Sequence, residues 1–143
     1  MSMHRYLLPA MLATSLFTAY TLPAVADEPS TTQVLLKSSN SWDGTPYQSY
    51  PQSAPELTVL KIAIAPHSKL PWHTHPVPNA AYVLSGELIV ERKSDGKTMT
   101  VKAGEALPET VDIVHRGTTG DAGAVLIVFY AGTAGTAVTK KEP

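Results

Sequence analysis

The chain has 143 residues, enough for one domain with a real hydrophobic core. Its 11 Lys and Arg against 12 Asp and Glu give a formal net charge of −1 with no basic cluster, so nucleic acid is not an expected partner. Cysteine is absent, which excludes disulfides, thiolate ligands and thiol nucleophiles together.

Residues 1–26, MSMHRYLLPAMLATSLFTAYTLPAVA, open on His4 and Arg5, run apolar through Tyr20 and end in Ala24-Val25-Ala26. This is the layout of a secretory signal peptide with a small-x-small cleavage site. Cleavage after Ala26 leaves Asp27 as the expected first residue of a periplasmic or secreted protein. The apolar run is short and broken by Pro9 and Pro23, which argues against a membrane anchor, so no membrane contact is expected after cleavage.

Residues 27–55 read as a polar, proline-bearing arm with one strand at 33–37, followed by the loop SSNSWDGTPYQSYPQS. From Glu56 the chain becomes rich in β-branched residues. Strands are expected at 57–65, ended by Pro66, and at 80–84, followed by a turn at Ser85-Gly86. Residues 87–93 and 97–102 pair through Ser94-Asp95-Gly96, an Asp-Gly hairpin signal. A turn at Ala103-Gly104 precedes a strand at 105–107, and the apolar run at 123–131 is expected to be central. Short strands at close spacing, without helical periodicity, predict an all-β fold, a single small β-barrel or jelly roll over 56–131. The remainder, 132–143, is small and polar and is expected to be a loose tail.

Chemistry concentrates in Trp72-His73-Thr74-His75-Pro76-Val77-Pro78-Asn79. A His-x-His pair on extended chain puts both imidazoles on one face, because side chains alternate with period two. Two imidazoles aimed at one point suggest a metal, and His115 in VDIVHRGTTG is the next candidate ligand. No GxSxG, GxxxxGK[ST] or GxGxxG competes with this site.

These residues resemble the two motifs of the cupin family. The first motif is a glycine, five residues, His-x-His, three or four residues, a glutamate, six residues and a glycine. The second is a glycine, five residues, proline, one residue, glycine, two residues, histidine, three residues and asparagine. His73, His75 and Gly86 keep the first spacing; Gly104 and His115 keep the second. His67 stands at the opening glycine, Asn79 at the glutamate, and Thr110, Asp112 and Thr119 at the later proline, glycine and asparagine.

The resemblance implies a jelly-roll cupin barrel, a homodimer in which an N-terminal strand joins the neighbour's sheet, and one divalent transition metal (Fe, Mn, Ni or Zn). His73, His75 and His115 are the implied ligands. The fourth position is open between Asn79, which offers only an amide oxygen, and Glu109, six residues before His115. Glu109 is on the right side only if the run to His115 is extended, and this condition favours a three-histidine site with an extra open position. Glu109 is also the one candidate acid or base. His67 reads as a solvent-facing turn residue and Arg116 as a surface residue. Trp72, Tyr82, Phe129 and Tyr130 read as barrel filling, with an aromatic beside the pocket able to grip a ligand.

The expected function is a metal-dependent enzyme, an oxygenase or an isomerase or lyase, acting on a small organic molecule. A non-catalytic module that binds a metal or small ligand is the alternative, because no second acid–base group stands out.

Overall fold

The computed structural model describes residues 30–143. The expected leader and its cleavage site lie outside the described residues. The chain divides into Met1–Thr32 and a larger unit, Gln33–Pro143, which holds all the strands among the described residues. These are β1 (Pro55–Ile64), β2 (His73–Thr74), β3 (Asn79–Arg92), β4 (Thr98–Lys102), β5 (Ala106–Pro108), β6 (His115–Thr118), β7 (Ala124–Thr133) and β8 (Lys140–Lys141). All pairings are antiparallel, in the order β1-β7-β3-β6-β2-β8, with β4 and β5 also paired to β3. The result is an all-β half-barrel, as the strand pattern predicts.

β3 organises the barrel. Its first half pairs with β7 and β5, its second half with β4 and β6, so one strand belongs to both walls. The sequence pattern predicts a turn at Ser85-Gly86; the structure instead carries the strand through, with a register shift between Val83 and Ser85. The buried positions change parity across it, from Asn79, Ala81 and Val83 to Leu88 and Val90. One extra residue in a strand does this: it flips the inward face and bends the strand. Gly86 makes the bend feasible with φ of 77°, and a Cβ there would lie 2.1 Å from the Gly123 carbonyl oxygen.

The core is aliphatic, with Val83, Val90, Val101 and Leu107 almost fully enclosed beside Leu88, Leu126 and Val128. The loop before β1 is fastened to it. The Asp43 carboxylate accepts from Ser41 Oγ at 2.6 Å, the Thr45 amide at 3.0 Å and Arg92 Nη1 at 2.7 Å, while the Trp42 amide donates to Pro108 O. Burial disfavours the Asp43 charge, yet these donors outweigh it and hold the carboxyl down at about 2.

Two expectations about the ends are corrected. Residues 33–37 form no strand; they are mostly exposed, and nothing among the described residues supplies the ladder partner that β propensity alone suggested. The tail is tied down rather than loose. β8 pairs with β2, the Glu142 amide donates to Trp72 O, and Val138 packs against the core. A strand of two residues has no periodicity to read, so its pairing depends on the edge that β2 offers.

Candidate metal centre

His73 lies on β2, His75 follows it by two residues, and His115 opens β6 directly opposite His73 in register. Directly opposed residues share a sheet face, so the ladder itself brings His115 to His73. The ring centroids form a near-equilateral triangle of 5.0, 4.5 and 5.0 Å. One ligand atom from each ring lies within 4.8 Å of the others.

The backbone sets the tautomers. His73 Nδ1–H donates to Pro71 O, His75 Nδ1–H to Val138 O and His115 Nδ1–H to Ile113 O, each at 2.8 Å. A carbonyl can only accept, so each Nδ1 carries the proton and each Nε2 presents a lone pair. Thr110 Oγ1 also lies 3.0 Å from His115 Nδ1. Burial lowers all three imidazoles, His75 to about 4, so the rings are neutral at ordinary pH despite the opposing pull of those carbonyls. Metal ligation needs this state.

Glu109 follows β5 and stands beside the triad, its Oε2 3.3 Å from His115 Nε2. Both atoms are buried and neither makes a hydrogen bond. Burial pushes the Glu109 carboxyl up to about 7, against the nearby His73 and the Thr110 amide. The approach does not come from an extended run. The chain turns at Asp112, whose φ is 55° and whose amide donates to His75 O, and the turn returns the chain to the triad. Asp112 thus adopts the left-handed conformation at a position where the motif has glycine, and His67 does the same with φ of 52°.

Asn79 is placed elsewhere. It is buried on the inward face of β3; its Nδ2 donates to Val77 O at 3.2 Å, its Oδ1 has no partner, and it borders a groove with Tyr47 and Phe129 without lining the triad's cavity. His67 is a solvent-facing turn residue, 3.3 Å from Asp121. Arg116 points away from the triad, stacked at 4.1 Å on Trp72 and paired with Glu91 at 2.7 Å.

The triad opens onto a cavity of about 190 Å³ with walls from Ile62, Leu70, Leu88, Leu126 and Val128. Tyr130 and Lys141 also line it, and sequence reasoning assigned neither a polar role. Tyr130 sits in the continuous apolar run of β7, where a tyrosine looks like filling; its ring is 5.5 Å from His75, and burial raises its phenol so that it stays protonated.

The donor chemistry fits a divalent transition metal. Three neutral imidazoles whose ligand atoms converge make a set that a cation would satisfy, and beside them His115 Nε2 and Glu109 Oε2 are buried without hydrogen-bond partners.

Residues 60–130 match the family described as Cupin domain. No curated protein matches the sequence. Similar solved structures include the DMSP lyase DddQ from Ruegeria pomeroyi DSS-3 (TM-score 0.53, 19% identity over 68% of this chain). A cupin-like protein from Thermotoga maritima MSB8 has a TM-score of 0.53 and 17% identity over 60% of the chain. The polyketide cyclase RemF from Streptomyces resistomycificus has a TM-score of 0.51 and 20% identity over 63%. The chain spans 46%, 64% and 62% of these three structures, less than two thirds of each, and at such identities the likeness is one of fold. The matched segment runs from within β1 to within β7 and contains all three clustered histidines; residues 60–130 of this chain are a cupin domain.

Proposed function

We propose that the protein is a mononuclear metal-dependent cupin enzyme acting on a small organic molecule. One observation carries this reading: three neutral imidazoles are held by backbone carbonyls that leave their Nε2 lone pairs free, with their ligand atoms within 4.8 Å of one another, beside a cavity with largely aliphatic walls. His73, His75 and His115 would hold the metal, and Glu109, with its unpartnered Oε2, would complete the set; Asn79 lies outside it. When bound, such a metal supplies Lewis acidity toward a carbonyl or carboxylate or, as iron, oxygen chemistry.

This chain's own residues do the rest. The aliphatic walls exclude water and orient an apolar substrate body. The Tyr130 phenol, kept protonated by burial, can donate a hydrogen bond to a substrate oxygen and supplies the second acid–base group that the sequence did not offer. That favours isomerase or lyase chemistry over simple ligand storage, with oxygenase chemistry as the iron-dependent counterpart. A DMSP lyase and a polyketide cyclase share the fold, in keeping with such chemistry.

Two further parts of the proposal concern its setting. The sequence of residues 1–26 supports a periplasmic or secreted protein, which the mass of the native N-terminus tests. A homodimer is supported by β1, an edge strand that exposes Leu57 and Val59 next to the exposed Phe129, with the unpaired segment 33–37 of a second copy available to extend the sheet.

The central test is elemental analysis of the native protein and of His73→Ala, His75→Ala and His115→Ala, followed by turnover assays after loading with Fe, Mn, Ni or Zn. One metal per chain, lost in each variant with the β-fold intact, is expected. Ligands recovered chemically unchanged under every metal would instead mark a binding module.

A further inference from the structure

The final strand adds a charged group to the site. β8 pairs with β2 so that Lys141 is directly opposite His73, and His73 is directly opposite His115 on its other side. Opposed residues in an antiparallel ladder share a face. His115, His73 and Lys141 therefore form one row across three strands, with Lys141 one strand spacing, about 5 Å, beyond the ligand row. Lys140 pairs with the buried Thr74 and belongs to the opposite face.

Lys141 lines the cavity yet remains exposed, which puts it at the mouth. Among the described residues no carboxylate lies within salt-bridge distance of it. The one carboxylate in the cavity, Glu109, is turned to His115. A hydrated lysine at a surface needs no explanation. A cation without a partner, in the same row as two imidazoles and at the entrance of an aliphatic pocket, has a defined recognition geometry.

We propose that Lys141 is a specificity-determining residue that binds the carboxylate of a short organic acid, whose apolar body fills the cavity beneath. This rests on the reading of the triad as a metal centre. The size agrees: at roughly 30 Å³ per water-sized group, a cavity of about 190 Å³ takes about six non-hydrogen atoms, the size of butyrate. A neutral amide of the same shape would fill the pocket equally well but leave the ammonium without its counter-charge. The C-terminal segment thus has two roles, since Val138, just before β8, also holds the His75 tautomer.

The test is calorimetric titration of butyrate and butyramide into the zinc-loaded full chain, its Lys141→Gln variant, and Lys140→Gln as a control on the opposite face. Lys141→Gln should weaken butyrate binding about tenfold, in line with the loss of a charge-assisted hydrogen bond. It should leave butyramide affinity and zinc stoichiometry unchanged, and Lys140→Gln should match the wild type. Butyrate affinity within threefold of wild type in Lys141→Gln, or no butyrate binding by the zinc-loaded wild type, overturns the assignment. Failure to bind zinc at all would count against the metal centre instead. The same Lys141→Gln comparison in metal-free protein would then decide the role of Lys141.

Discussion

Replacing Glu109 with glutamine removes one charge and keeps the shape, so it isolates what the carboxylate contributes to the site. Its Oε2 lies 3.3 Å from His115 Nε2, within contact range of any cation those imidazoles hold. Two unit charges about 4 Å apart attract by about 4 kcal/mol at an effective dielectric of 20, and a divalent ion doubles that to about 8 kcal/mol. Lost hydration offsets much of this gain, as for any buried ion pair. A net loss of about 3 kcal/mol, or roughly a hundredfold in affinity, is the expected result. Asn79→Glu should add nothing, because Asn79 borders the groove with Tyr47 and Phe129 without lining the triad's cavity. Competition with a calibrated chelator for zinc at fixed pH and ionic strength measures both. A Glu109→Gln affinity within threefold of wild type, or a gain in Asn79→Glu, would refute the reasoning and restore a pure three-histidine site.

Three other outcomes follow from the fold. Asp43 is held at about 2, below its ordinary 3.8, so its contribution, on the order of 2 kcal/mol, is complete above pH 4 and is lost as pH falls toward 2. Chemical denaturation across that window should show wild type and Asp43→Asn converging in stability, and a constant gap would contradict the network. Gly86→Ala places a Cβ 2.1 Å from Gly123 O at a φ of 77°, and should cost more than about 3 kcal/mol or prevent folding. His67→Gly relieves a left-handed histidine on the surface and should stabilise by about 1 kcal/mol, raising Tm by about 4 °C; an unchanged or lower Tm would show that the contact with Asp121 matters more.

The histidines were legible because a ligand pair two residues apart on extended chain has one geometric outcome, and the Asp95-Gly96 turn likewise specifies its hairpin. The continuous course of β3 was not legible, since a bulge glycine and a turn glycine look alike until the partner strand is known. Glu109 could reach His115 only through an extended run, a condition that favoured a three-histidine site; it stands there through the turn at Asp112, a path that parity counting does not describe. The role of 138–141 was hidden more deeply. Its contacts are a carbonyl and a two-residue ladder, and neither depends on side-chain identity in a way that patterns record. For the same reason the strand expected at 33–37 had propensity but no partner.

The acceptors that orient the three imidazoles are main-chain oxygens of Pro71, Ile113 and Val138. A side-chain acceptor can be lost by a single substitution; these carbonyls survive any substitution that keeps the local backbone path. Ile62, Leu70, Leu88 and Leu126 around the cavity can therefore vary in size and polarity while the rings stay aimed at the same point. Mutational drift and substrate choice are separated from ligand geometry in this scaffold. Libraries randomised at those four wall positions should retain metal in most folded members while their ligand preferences diverge.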